Sequence, residues 1–308
     1  MRCTICGKRE AIYTRAYSGE SLCESCFKKS IIRKVKAAIS KYRMFEYDDR
    51  IAVAVSGGKD SVSLLHIMVE IEKEFPKAGL VAITVDEGIK GYRDEAMKIA
   101  SKNCQQLGIE HLTISFEELY GYTLDEIVDI SRDTGLTPCA YCGVLRRRAI
   151  NILARRAKAD KVATAHNLDD EVQTIILNMI RGEPLRIGRI KPVSASYGGF
   201  VQRVKPLCEV PEREVALYAY VSGIEFQDIP CPYAETALRN DIRNILNRLE
   251  EKHPGIKYAI LRSAERLRPY LEKAPEVEMG ICKICGEPSV GEICQPCQLL
   301  IKLGIIEN

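Results

Sequence analysis

Thirteen cysteines in 308 residues pose the first chemical question, because thiolates both ligate soft metals and act as nucleophiles. Eight of them stand in C-x-x-C pairs at the two ends. Cys3, Cys6, Cys23 and Cys26 read C-x2-C-x16-C-x2-C, and Cys282, Cys285, Cys294 and Cys297 read C-x2-C-x8-C-x2-C. Two such knuckles complete a tetrahedral shell with no open position, so each quartet predicts a structural Zn²⁺ rather than a redox dithiol, two Zn²⁺ in all. Such sites stabilise modules too short to hold a core of their own. Five cysteines remain. Cys104 falls on an apolar helical face and Cys208 beside a Pro-rich connection, and both read as inert buried thiols. Cys139 and Cys142 form a third knuckle at a helix start, in PCAYCGVLRRR, and Cys231 lies between prolines in DIPCPY.

A second constellation is SGGKDS, residues 56–61, placed between an apolar strand and an amphipathic helix. It is not a Walker loop, which needs G-x4-G-K-[ST]. Gly57 and Gly58 let the backbone approach an anion, the helix beginning near Asp60 aims free amides at it, Ser56 and Ser61 add hydroxyls, and Lys59 adds charge. The bland reading is a strand-to-helix turn that uses glycine for geometry alone. Asp86 stands just beyond the second apolar run, and His166, Asp169 and Asp170 just beyond the fourth. For Asp169 and Asp170 the competing role is a helix N-cap. His66, His111 and His253 receive no chemistry.

The elements that must position these groups are legible as alternation. The short apolar runs at 51–55, 80–85, 111–114 and 161–165 read as strands buried on both faces, and helical periodicity fills the gaps between them. This predicts an α/β fold with a doubly wound parallel sheet, its ligands at the carboxyl ends of the strands. Residues 182–210, rich in Gly, Pro and basic side chains, read as a mobile connection, and helices resume near 211–222, 235–250 and 256–272. The implied organisation is a zinc module at 1–30, a catalytic domain at 31–272 and a second zinc module at 273–308.

With 46% hydrophobic and 28% charged residues the chain can bury a sizeable core. No apolar run approaches the ~18 residues of a membrane helix, and the N-terminus lacks a signal-peptide core, which predicts a cytoplasmic protein without a membrane partner. The net charge of +3 is too small to announce nucleic acid. Local clusters speak louder. Arg146, Arg147, Arg148, Arg155, Arg156 and Lys158 follow the third knuckle with no acid among them, and Arg181, Arg186, Arg189, Lys191, Arg203 and Lys205 stand against one acid. Either cluster alone is as well read as a solvated face, but beside a nucleotide site and a sulfur site, phosphate contact is the better reading.

SGGKDS after a strand resembles the PP-loop ATP pyrophosphatases, and PCAYCGVLRRR with PCPY resembles their tRNA thiolation branch, the TtuA/TtcA family of 2-thiouridine and 2-thiocytidine synthetases. The terminal quartets extend the resemblance over nearly the whole chain and favour the 2-thiouridine group. The resemblance implies that ATP is held with its pyrophosphate part in the loop and its adenine against Ala54, Ile83 and Ala165. It implies Mg²⁺ near Asp60 and Asp170, and a [4Fe-4S] cluster on Cys139, Cys142 and Cys231 with one iron free of protein ligands. Arg146 is the candidate for steadying the adenylated oxygen or the ATP phosphates. The implied reaction adenylates the C2 oxygen of a tRNA uridine and replaces it with sulfur, releasing AMP, with sulfur taken from a ubiquitin-like carrier bearing a C-terminal thiocarboxylate and with a homodimer as the assembly. The abundance of Lys, Arg and Glu over Gln suits a thermophile, and with it the T-loop uridine as 5-methyl-2-thiouridine. Alternatives are the wobble uridine, a persulfide route on the same cysteines without a cluster, and an RNA-binding zinc protein whose nucleotide site only regulates binding. A lysidine synthetase would leave the three cysteines without a purpose.

Overall fold

The computed structural model describes residues 1–132, 135–195, 198–233, 238–271 and 279–307. The chain opens with a ribbon of β1 (Tyr13–Thr14) and β2 (Ser21–Leu22), which leads into α1 (Glu24–Tyr42). Because α1 starts between Cys23 and Cys26 and continues past residue 30, one helix belongs both to the cysteine module and to the body.

Alternation inside the strands decides the layers. In β3 (Arg50–Ala54) Ile51 and Val53 enter one apolar cluster while Ala52 enters another; in β4 (Gly79–Asp86) Leu80 and Ala82 join the first, and Val81, Ile83 and Val85 the second. A strand covered on both faces belongs in the middle of a three-layer α/β fold. The sheet is wholly parallel, in the order β5 (Glu110–Ser115), β4, β3, β6 (Lys161–Ala163), β7 (Gln202–Val204). One face is covered by α1, α2 (Lys59–Glu72), α3 (Arg93–Leu107) and α9 (Glu212–Val221). The other is covered by α4 (Phe116–Tyr120), α5 (Leu124–Ile130) and α6 (Pro138–Arg156). Strand order reverses between β3 and β6, so a crevice opens at their carboxyl ends.

The connection at 182–210 is more ordered than its composition implied. It contains α8 (Pro184–Gly188) and β7, whose register Lys161↔Gln202 adds a fifth strand and buries Val204 completely. Three residues are too few for alternation to announce a strand, and the glycines mark only the turn before it. A third apolar cluster joins α7 (Leu168–Ile180), α8, α10 (Leu238–Lys252) and α11 (Ile256–Leu271). The expected helix start at 235 and the 272/273 boundary lie outside the described residues. After them, β8 (Gly280–Ile281), β9 (Pro288–Ser289) and α12 (Gln295–Lys302) form the C-terminal module, whose Leu300 and Leu303 join the α6 cluster. Among the described residues no helix is long and apolar enough to cross a membrane.

Candidate functional site

The loop after β3 is shaped by internal hydrogen bonds. Ser61 Oγ accepts from the Ser56 amide at 3.0 Å and donates to the Gly58 carbonyl at 2.9 Å, and Ser56 Oγ lies 3.1 Å from it. Gly58 caps α2 without any side-chain partner, so the first turn keeps amides free for an anion. Lys59 turns aside: its Nζ pairs with Asp60 at 3.0 Å and with Glu212 at 2.7 Å, where both carboxylates hold its pKa up against burial. Burial pushes the Asp60 carboxyl up, with Lys59 opposing.

Across the crevice, α7 opens with a capping box. Asn167 Oδ1 accepts from the Asp170 amide and Asp170 Oδ2 from the Asn167 amide, both at 3.1 Å, while Asn167 Nδ2 donates to Asp60 Oδ1 at 3.3 Å. The cap is therefore Asn167, and Asp169 has a different task. It is buried, takes the Glu212 amide at 2.8 Å and forms an ion pair with Lys257. Asp169 thus locks α7 to α9 and α11, away from chemistry.

Between the two strand ends lies a cavity of about 680 Å³ lined by Ala54, Ser56, Gly58, Asp60, Ser61, Ile83, Arg146, Ala165 and Asp170 among others. Gly57, Lys59 and Asp86 do not line it. Asp86 Oδ1 accepts from the Gly88 amide at 2.9 Å, and Glu87 lines the wall in its place. Alternation explains the exchange: Ile83 and Val85 face the α6 side, so the next residue on that face is Glu87. Counting by two from Ile83 would have found it. Glu87 is buried and pairs with Arg93 at 2.8 Å and with Arg146 at 3.4 Å. Arg239 also lines the cavity, with Nη2 3.1 Å from the Asp170 carbonyl; nothing in its local sequence marks it. His166 faces the same space, and burial, with Lys205 adding, drives its pKa down to about 4.

The three remaining cysteines meet beside this cavity. Pro138 starts α6, which puts Cys139 in its exposed first turn and Cys142 one turn on, buried. Arg146 Nη2 donates to Cys142 Sγ at 3.0 Å, Cys139 Sγ lies 3.6 Å from the Tyr233 carbonyl, and half-buried Cys231 packs into the α6 cluster. Burial outweighs Arg146 and pushes the Cys142 thiol up to about 11, and burial also raises Cys231. Among the described residues the terminal quartets are the only groups of three or more sulfurs that all lie within 4.8 Å of one another. The third set is too spread for one shared ion, and its soft, all-thiol donors suit a cluster that offers each cysteine its own iron.

Both quartets fit a single tetrahedral ion. The Cys23 and Cys6 amides pull the Cys3 thiol down to about 6; at Cys282 the Cys294 and Cys285 amides overcome burial and reach about 6. Cys104 and Cys208 are buried in apolar surroundings, with burial raising both thiols, as inert thiols should be.

A PP-loop domain model matches residues 27–250, and the model of the N-terminal LIM domain of the 2-thiouridine synthetase TtuA matches residues 2–28. A "probable sulfurtransferase" of Methanocaldococcus jannaschii is 41% identical over 97% of this chain and 87% of its own. The tRNA-5-methyluridine(54) 2-sulfurtransferase of Pyrococcus horikoshii is 36% identical over 97% of this chain and 93% of its own. Among solved structures, the U34-tRNA thiolase NcsA from Methanococcus maripaludis with its [4Fe-4S] cluster matches with a TM-score of 0.86 and 37% identity, covering 100% of this chain and 98% of that one.

Proposed function

The chain belongs to the PP-loop family, in its tRNA 2-thiolation branch, and from that premise we propose that it is an ATP-dependent tRNA uridine 2-sulfurtransferase. The observation that carries the reading is Arg146, which lines the nucleotide cavity and binds Cys142, joining the ATP site to the three-cysteine site through one side chain.

Ser56, Ser61 and the free amides of α2 hold the phosphates, while Ala54, Ile83 and Ala165 face the adenine. Asp60 and Asp170 would hold Mg²⁺, whose charge would favour the ionised carboxylate that burial disfavours at Asp60. The uridine C2 oxygen attacks the α-phosphorus and pyrophosphate leaves; sulfur then replaces the adenylated oxygen and AMP leaves. Arg146 steadies the developing negative charge, and Glu87 and Cys142 fix its direction. Cys139, Cys142 and Cys231 would hold a [4Fe-4S] cluster, which when bound would supply a place for the sulfur to be transferred. The two quartets hold Zn²⁺ in modules at 1–30 and 273–308, flanking a catalytic body at 31–272. The sulfur donor is a ubiquitin-like protein with a C-terminal thiocarboxylate, and the enzyme works in the cytoplasm. Exposed Met179, Ile180, Leu185, Ile245, Leu249 and Leu267, on α7, α8, α10 and α11, support a homodimer through that side.

Relatives named for position 54 and for position 34 stand at 36% and 37% identity, so the T-loop reading and the wobble reading are separated by mapping the thiolated uridine in tRNA. Metal and sulfide content of anaerobically purified protein tests the chemistry. Iron and sulfide in cluster ratio, lost with thiolation in Cys139→Ala, Cys142→Ala and Cys231→Ala while zinc is retained, is the expected outcome. Full thiolation by iron-free protein would transfer the reaction to persulfide chemistry at the same residues.

A further inference from the structure

A second cavity, of about 410 Å³, shares Arg147, Ile150 and Arg203 with the nucleotide cavity and runs between α6 and the C-terminal module. Its walls are largely apolar: Val144 from α6, Phe200 and Val201 from the segment before β7, and Val290 and Ile293 from the module. The walls are anchored. Asn151 Oδ1 accepts the Val201 amide at 2.9 Å, Arg155 pairs with Glu287, and a Cβ on Gly199 would lie 2.3 Å from Pro288 Cγ.

The charges at the shared wall are unbalanced. Arg146 has Glu87, Arg148 has the Tyr120 ring and Cys297, Arg155 has Glu287, and Lys205 has Glu171. Arg147 and Arg203 have no carboxylate within 4.0 Å and no hydrogen bond from their guanidinium groups among the described residues. Burial depresses both pKa values, with Arg146 adding at Arg147 and Arg147 adding at Arg203, so the guanidinium groups repel without a counter-ion. Two free guanidiniums at the mouth of an apolar slot ask for a phosphate joined to a flat apolar group. ATP has one base, and the first cavity already accommodates it. A nucleotide strand whose target base reaches the first cavity beside ATP can place its neighbouring base in the second, with a phosphodiester at the wall the two cavities share.

We propose that the second cavity is a subsite for the nucleotide beside the target uridine: Arg147 and Arg203 grip the intervening phosphodiester, and the neighbouring base enters the slot against Phe200. This rests on the thiolase reading and adds the element that holds the RNA strand open next to the reacting base. Splaying out two adjacent nucleotides fits single-stranded loop RNA, whose unstacked bases are read by stacking on aromatic and guanidinium planes.

The test uses the full-length metal-loaded protein, with tRNA binding followed against salt and binding of a non-hydrolysable ATP analogue measured in parallel. Arg147→Gln and Arg203→Gln are each expected to weaken tRNA binding about tenfold and to reduce the salt slope by about 1. Analogue affinity should fall far less than tRNA affinity, since both residues stand on the wall the two cavities share. Val290→Trp fills the slot from the exposed side of the module, at a residue that holds no metal, and should also weaken tRNA about tenfold. Removing the base next to the target uridine should cost the wild type about tenfold and cost Val290→Trp nothing further. Loss of analogue affinity in the arginine variants with tRNA binding intact would assign the pair to ATP, and indifference of the wild type to the abasic tRNA would empty the slot; either overturns the proposal. tRNA-dependent AMP formation and thiolation by the wild type report separately on the thiolase reading.

Discussion

Gly57 and Gly58 look interchangeable as a phosphate-loop pair, yet the structure gives them different work. Gly57 holds φ at 89°, a Cβ there would lie 2.4 Å from the Ala96 carbonyl oxygen, and its own carbonyl accepts the Gln227 amide at 2.9 Å. It is glycine because α3 passes against its backbone and because a side chain at this positive φ is strained. Gly58 has φ of −77° and meets only Ser56 Oγ, at 3.7 Å from a built Cβ. Gly57→Ala should therefore cost about 2–3 kcal/mol of stability, seen as a lower Tm, since both strain and backbone overlap are unavoidable. Gly58→Ala should leave stability within about 0.5 kcal/mol of wild type, with Tm nearly unchanged, and raise the KM for ATP, because the added methyl lies at the phosphate loop. Equal Tm losses in the two variants would return both glycines to a purely structural role.

At the scale of elements, α7 shows why adjacent acids can do different things. Asp169→Ala removes the partner of buried Lys257 and of the Glu212 amide, and should cost about 3–5 kcal/mol, measured by denaturant titration. Asp170→Asn keeps an oxygen for the Asn167 amide, so the cap survives; stability should change by less than about 0.5 kcal/mol while Mg²⁺-dependent ATP turnover falls. The apolar runs announced β3, β4 and β6 because strands covered on both faces need apolar residues at every position, whereas β5, expected to be buried on both faces, is an edge strand and buries only Ile114. The crevice between β3 and β6 followed from that alternation. Three features were not legible. β7 buries only one of its three residues; Lys257 stands 88 positions from Asp169, beyond any local pattern; and Arg147 and Arg203 are set apart by their place on the wall shared by the two cavities, which no spacing encodes.

Over the whole molecule the two cysteine modules are similar in chemistry and opposite in attachment. The N-terminal module is tied in by charge. Glu214 is fully buried and accepts from Arg15 Nε and Nη2 at 3.0 Å each, from Lys34 at 3.1 Å and from Tyr17. Opening that module by Cys3→Ser with Cys6→Ser withdraws Arg15 and Tyr17 and leaves Glu214 with Lys34 alone, inside the layer that packs α1 on α9. An under-compensated buried carboxylate is costly, so the main thermal transition should fall by an amount equivalent to about 3–5 kcal/mol, and ATP-analogue binding should be lost at the temperature where the body melts. The C-terminal module rests on α6 through Leu300, Leu303, the Arg155–Glu287 pair and the Arg148–Cys297 contact at 3.8 Å, and among the described residues no buried carboxylate of the body depends on it. Cys282→Ser with Cys285→Ser should leave the main transition and analogue binding near wild type while tRNA binding weakens, because one wall of the second cavity goes with the module. If instead the C-terminal variant melts the body and the N-terminal one does not, the buried Glu214 network is not what couples a cysteine module to the sheet.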